Sequence, residues 1–380
     1  MKKLLYLLLV SALCACEPVD NTFYFVTTLG NDTLAIEQVK YKTNGLDAKV
    51  ALRSPRLSLR QYAIEWDENN KMTRMDVSQF DQGFEETGYV IQNTNAEGDS
   101  LISVTEVRKE KVRRSILNNK EILPFIDMVH WPYDIAFNRA YQNESDSTDQ
   151  YLLSGRRVSN FIIHRVEGND FTIRHPSRGV MEASTDSKGN LTFLDAKATT
   201  RKLKVYRAEE LDFNGLVNRF KAIDAKGSPF GTLSPAIEDS FSFKNTEFKV
   251  SYGSPQKRGR DIFGGIVSYG ERWRTGANRA THFSTSKDLE INGKTVPAGE
   301  YTLFSIPEEN GGILIINKQT GQNGRSYNQD RDLMRVAMTR KVASEFYEGF
   351  TVRVTETQLG GKIQLLWDKT SYEVNFTILK

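Results

Sequence analysis

Apolar and polar residues alternate along most of this chain, in runs of five to nine broken by turn formers. Leu57-Ser58-Leu59-Arg60-Gln61-Tyr62-Ala63-Ile64 and Leu101-Ile102-Ser103-Val104-Thr105-Glu106-Val107 show the period of two. That period turns one side of a strand to a core and the other to water. From Thr22 to about Leu117 the breaks fall at Gly30-Asn31-Asp32, Asn44-Gly45, Glu68-Asn69-Asn70 and Glu97-Gly98-Asp99, the punctuation of an antiparallel meander. A second β block covers Ser159 to Val166, Phe171 to Arg174, Gly179 to Ala183, Leu191 to Leu194 and Leu203 to Tyr206.

Two segments carry the helical period instead. Asp212 to Ala225 places Phe213, Leu216, Val217, Phe220 and Ile223 on one stripe, with Asp212 as N-cap, so this helix is predicted to lie on a sheet face. Phe125 to Tyr141 is apolar nearly all round, which predicts a deeply buried helix or one lining an apolar hollow, its start shifted or its axis kinked by Pro132. Residues 142–150 read as an exposed polar loop without the glycine and spacing of a calcium loop. Lys226 to Pro235 is rich in chain breakers, and strands resume after it. The reading is therefore mainly β: an N-terminal antiparallel sheet with two helices over 16–225, a linker and lead-in over 226–247, and a C-terminal β-sandwich or jelly roll over 248–380. A curved half-barrel of the lipid-carrier kind is the fold-level analogue of the first unit.

The leader changes the picture. Two lysines, the apolar run Leu4 to Val10 and then small residues describe a signal peptide over 1–15, since the run is about half of the ~20 residues that span a bilayer. Leu13-Cys14-Ala15-Cys16 resembles the lipobox of bacterial lipoproteins, which implies diacylglycerol and palmitate on Cys16 and an envelope location, outer-membrane and periplasmic or surface-facing. Glu17 and Asp20 resemble acidic export signals of surface lipoproteins. The two cysteines of the chain are Cys14 and Cys16, so the mature body has no free thiol for nucleophilic, disulfide or zinc chemistry.

Charge removes other classes. Lys plus Arg number 51 against 48 Asp plus Glu, and without Lys2 and Lys3 the balance is 49 against 48, so nothing calls for nucleic acid. Asn292-Gly293-Lys294-Thr295 lacks the first glycine and the following helix of a phosphate loop, and the Gly-x-Ser-x-Gly and His-Glu-x-x-His signatures are absent. His130, His164, His175 and His282 are far apart in sequence. Neither a metal nor another cofactor is expected, and His130 and His164 suit packing or hydrogen-bonding roles.

The most distinctive stretch is Tyr252-Gly-Ser-Pro-Gln-Lys-Arg-Gly-Arg-Asp-Ile-Phe-Gly-Gly265 followed by Tyr269-Gly-Glu-Arg-Trp-Arg-Thr-Gly-Ala-Asn278-Arg-Ala-Thr281. With Pro297 to Leu303, Ile315 to Gly321 and Leu366-Trp367-Asp368 it resembles the bacterial DUF2911 family over about residues 251–379. Met128 to Pro132 and Arg174 to Gly179 resemble the leading region of longer members. The resemblance implies no established activity. Arg279 stands where the family often has Glu, and Asn323 where it often has Trp, which leaves open what this member prefers if those positions touch a ligand.

Between residues 251 and 280, six basic residues face Asp261 and Glu271. One reading is a site for an anionic small molecule, with Arg260 and Arg274 as donors, Asn278 and Thr281 as hydrogen-bonding neighbours and Trp273 as a stacking surface. The plainer reading is a solvated basic loop with Trp273 and Trp367 as core anchors, and the sequence leaves both open. Three functions follow: a non-catalytic envelope lipoprotein binding a small molecule, glycan or partner protein; an envelope hydrolase acting on carbohydrate or peptide; or an assembly component. The first is preferred, with enzymatic activity disfavoured.

Overall fold

The computed structural model describes residues 21–143 and 145–379; the leader and Cys16 lie outside them. The protein is mainly β, with two large sheets, neither closed into a barrel, and two α-helices among the described residues. In the first sheet, of fifteen strands, Thr22–Leu29 lies in the interior. On one side of it an antiparallel meander runs outward in chain order to Glu110–Leu117. On the other side Lys204–Ala208 pairs with it, Tyr24 opposite Ala208 and Val26 opposite Tyr206. The sheet then continues backwards along the chain to Ser147–Ser154, and Ile122–Pro124 adds in parallel at the far edge.

This sheet curls around the first helix, α1 (Trp131–Gln142). Trp131 packs on Tyr62 at 5.9 Å between ring centres, and Tyr133 on Phe161 at 6.2 Å. Tyr62 and Phe161 stand eight strands apart, roughly 38 Å along a flat sheet at about 4.8 Å per strand. A helix about 10 Å wide reaches both only if the sheet bends round it. The nearly all-round apolarity of α1 is explained by this enclosure: Trp131, Ile135, Ala136 and Phe137 are all buried, and the helix fills the centre of the hollow. It starts six residues later than the period predicts: Phe125 donates its N–H to the Leu153 carbonyl beside the sheet edge, Met128 turns at φ +66, and Pro132, lacking an N–H, is tolerated in the first turn but not deeper. Residues 142–150 depart from a simple loop as well, since Ser147–Ser154 pairs with Arg157–Glu167.

Buried polar groups fix α1 in place. Glu37, fully buried on the concave face, accepts the backbone N–H of His130 at 2.8 Å and of Trp131 at 2.9 Å, two donors that a helix start leaves free. His130 bonds Thr27 through Nδ1 at 3.0 Å, the packing role expected of it; His164 is exposed on its strand. Asp134, fully buried, accepts the Tyr41 hydroxyl at 2.9 Å and the Leu191 N–H at 2.7 Å, with Arg207 at 3.5 Å. Burial outweighs these partners and raises the carboxyl to about 6. A folded-state value above the unfolded ~3.9 means the native state binds the extra proton between the two, so this residue's contribution to stability falls as pH rises from about 4 through 6. Asp134→Asn should abolish that component, about 2 to 3 kcal/mol, in urea titrations compared between pH 4.5 and 7.

The second helix, α2 (Phe213–Ala225), is capped as predicted, Asp212 accepting the Gly215 N–H at 3.0 Å. It covers the opposite, convex face, where Phe213, Val217 and Phe220 pack on Ile36, Ala51, Leu59 and Phe80.

The second sheet has nine strands and opens at Ala236–Phe243, inside the stretch read as linker and lead-in. Phe248 and Phe376 are five strands apart in its order, yet their rings lie 5.5 Å from each other, so this sheet folds over on itself and encloses a core. Its two long strands, Asp332–Thr357 and Gly360–Ile378, carry the bend, with pairing interrupted between Val342 and Thr351. Glu373 sits there among Lys341, Lys362, Gln364 and Ser371; burial opposes its charge, but these partners hold the carboxyl down at about 2.

Candidate functional site

The two sheets are joined where the turn Gly30-Asn31-Asp32 meets the loop 256–260. Asn31 donates its N–H to the Arg258 carbonyl at 3.0 Å. Arg258 returns an ion pair to Asp32 at 2.8 Å and a hydrogen bond to the Phe230 carbonyl at 2.7 Å, its guanidinium 3.8 Å above the Phe230 ring. Gly30 has φ +62, and a Cβ there would stand 1.9 Å from the Arg258 carbonyl oxygen, so only glycine permits the approach.

This junction frames a cleft of about 950 Å³. The first sheet contributes Met128, Arg178 and the loop Ala198 to Lys202; the second contributes Arg260, Trp273, Arg274, Asn278, Asn323 and Arg325. Six cations line it (Arg178, Arg201, Lys202, Arg260, Arg274, Arg325), and its lining contains no carboxylate.

How the cations are held decides what they can do. Arg178 and Arg201 both bind Asp127, whose burial is outweighed by their hydrogen bonds, leaving its carboxyl below the usual range. The other four have no such partner. Arg260 is oriented by the carbonyls of Lys257 at 3.0 Å and Gln256 at 2.6 Å; burial, then Arg258 nearby, lowers its guanidinium to about 10. Arg274 is tethered to the Asn278 carbonyl at 3.3 Å and is pushed down by burial and by Arg325. Lys202 reaches the Lys197 carbonyl at 3.0 Å and is lowered by burial and by Arg260. Among the described residues no ion pair involves Arg260, Arg274, Arg325 or Lys202. Arg325 is exposed beside them, while Arg260, Arg274 and Lys202 are tethered and partly desolvated; cations so placed relieve their repulsion by taking up an anion.

Of the residues the sequence singled out, Arg260, Trp273, Arg274 and Asn278 converge on this cleft. Trp273 is half-buried: its ring stacks on Trp367 at 6.0 Å and meets the Phe350 edge at 4.9 Å, so it is a core anchor with a margin at the cleft. Asn278, at φ +64, gives its carbonyl to Arg274 and its side chain to Ser234. Thr281 is not at the cleft. It is fully buried, and its hydroxyl donates to the Thr275 carbonyl, closing the turn that presents Arg274. Cys16 lies outside the described residues. Arg279 and Asn323, the two departures from the family pattern, stand opposite each other in a backbone bridge, and Asn323 lines the cleft.

The sequence reading missed the contribution of the first sheet. Arg178 belongs to the quoted Arg174 to Gly179 motif, but nothing in its spacing shows that it meets Arg201 at Asp127. His175 beside it accepts the Ser177 N–H at Nδ1, while its buried Nε2 has no partner; burial and then Arg178 lower the ring to about 4, so it is neutral at physiological pH. No group of three His, Asp, Glu or Cys arranged to hold a metal occurs among the described residues, and none of their helices is long and apolar enough to cross a membrane.

Comparison with known proteins places residues 234–376 as a match to the family model described as a protein of unknown function, DUF2911. This begins at the breaker-rich stretch before Ala236 and takes in every residue of the Tyr252 to Thr281 motifs. No curated protein matches the chain. Among solved structures it is similar to the crystal structure of a DUF1089-family protein from Pseudomonas aeruginosa, with 9% identity and a TM-score of 0.29, over 43% of this chain and 90% of that one.

Proposed function

We propose that this protein is an envelope lipoprotein, anchored through Cys16, that binds an anionic small molecule or glycan in the cleft between its two sheets without transforming it. The carrying observation is the cleft lining of six cations and no carboxylate. Arg260, Arg274 and Lys202, held by backbone carbonyls, are donors waiting for phosphate or carboxylate oxygens, whereas hydrolysis of a glycoside or peptide needs a general acid or base at the bound substrate. Asp127, beside the cleft, is engaged by two of its arginines, and His175 is a poor base. These features favour binding.

The anchor is tested by feeding cells labelled palmitate: the wild-type chain should be labelled and Cys16→Ala should not. The cleft is tested by titrating inorganic phosphate calorimetrically into the protein and into Arg274→Ala and Arg325→Ala. Each substitution should weaken binding about 10- to 100-fold, the equivalent of a charged hydrogen bond of ~1.5–3 kcal/mol, while leaving the melting temperature unchanged or higher because repulsion is relieved. Phosphate binding that both variants retain in full overturns the site.

A further inference from the structure

A second opening adjoins the cleft. On the concave face of the first sheet, beyond the start of α1, a groove of about 630 Å³ runs between Val50, Leu52 and Tyr62 on one side and Ile126, Met128 and Val129 on the other. Its walls are predominantly aliphatic and aromatic, with Arg56, Arg60 and Asp127, the carboxylate that holds Arg178 and Arg201, among the lining residues. Ser54 and Met128 line both groove and cleft, so the two spaces lie side by side at these residues. Met128 also borders a small chamber of about 30 Å³ with Phe125, Met181 and Leu203. Its backbone is at φ +66, a conformation that a residue with a side chain rarely adopts.

We propose that the ligand is an anionic amphiphile: a phosphate- or carboxylate-bearing head in the cationic cleft, and an alkyl chain that passes Ser54 and Met128 into the groove. This rests on the anion reading of the cleft and adds the chain. Charge complementarity places the head, and the adjacency of the two spaces at Ser54 and Met128 places the tail. Either opening alone lies within the ~300–1,000 Å³ of small-molecule sites, and an apolar groove joined to a charged cleft matches one molecule with two unlike ends. A soluble sugar phosphate would leave the groove's apolar walls in water.

The test is a chain-length series on the full-length protein, with ethyl, hexyl, octyl and decyl phosphate titrated below their micelle-forming concentrations and decyl maltoside as the uncharged control. Each methylene that leaves water is worth ~0.8 kcal/mol, about fourfold in affinity, so affinity should climb ~2- to 4-fold per methylene in this open groove. Ser58→Trp, at a half-buried groove position, should bring decyl phosphate down to the ethyl phosphate value while ethyl phosphate binds as before. Leu52→Gln, a milder change, should flatten the slope. A flat series in which ethyl phosphate still binds overturns the tail and leaves the anion cleft standing. Failure of every alkyl phosphate to bind overturns both. Decyl maltoside binding as tightly as decyl phosphate overturns the joined site, because the groove would then act without the cations.

Discussion

Replacing Glu37 by Ala should destabilise the first sheet by about 3 to 5 kcal/mol, the largest effect expected of a single change in this protein. The side chain is fully buried and its two oxygens take the N–H groups of His130 and Trp131. Removing it leaves two desolvated donors at the start of a helix that is itself enclosed, at about 1 to 3 kcal/mol each, and opens a void between helix and sheet. Glu37→Gln should lose about half as much, because one amide oxygen still accepts while the amide NH₂ faces the other donor. Urea unfolding followed by tryptophan fluorescence would report this, since Trp131 sits beside the lost contact. An alanine variant within about 0.5 kcal/mol of wild type would show that the helix start does not depend on Glu37.

Arg258→Ala should separate the two sheets energetically. Its guanidinium joins Asp32, the Phe230 carbonyl and the Phe230 ring across the junction, and it is only 10% exposed. With the half-exposed Asp32 discounted for solvent screening, the loss is about 2 to 4 kcal/mol of coupling. In calorimetry the variant's unfolding should broaden or split into two transitions, while each sheet keeps its own core. Because the cleft is walled by both sheets, phosphate affinity should fall as well, although Arg258 is not among its lining residues. A single unshifted transition would mean that other contacts hold the junction.

Much of the architecture could be read from the chain because its signals are local. The alternation at Leu57 to Ile64 places Tyr62 and Ile64 on the concave side and Leu59 on the convex side, and Asp212 caps its helix because a carboxylate three residues before Gly215 can hardly do otherwise. What escaped the reading depends on contacts far apart in sequence. The start of α1 reads six residues early because Phe125, Ile126, Met128 and Val129 continue its apolar pattern, and only the hydrogen bond from Phe125 to Leu153 and the turn at Met128 set them before the helix. The cleft was half legible. Arg260, Trp273, Arg274 and Asn278 come from one compact motif, so their nearness follows from the chain itself. Arg178, Arg201 and Lys202 join them only because the Gly30 to Asp32 turn seats against Arg258, more than two hundred residues away. Thr281 was nominated by the same nearness, but strand alternation turns its side chain inward.

The pairing of Thr22–Leu29 with Lys204–Ala208 also sets the order in which this molecule can be completed. A chain emerging from its N-terminus makes the strand destined for the interior of the sheet first, pairs one flank of it at once with Asp32–Lys42, and leaves the other flank bare until Lys204–Ala208 arrives some 180 residues later. Throughout that wait, an unpaired row of N–H and C=O groups offers itself to any strand that passes. Contacts so distant in sequence are slow to close. Rapid delivery of the remaining length would shorten that exposure, and a chaperone on the open flank would cover it.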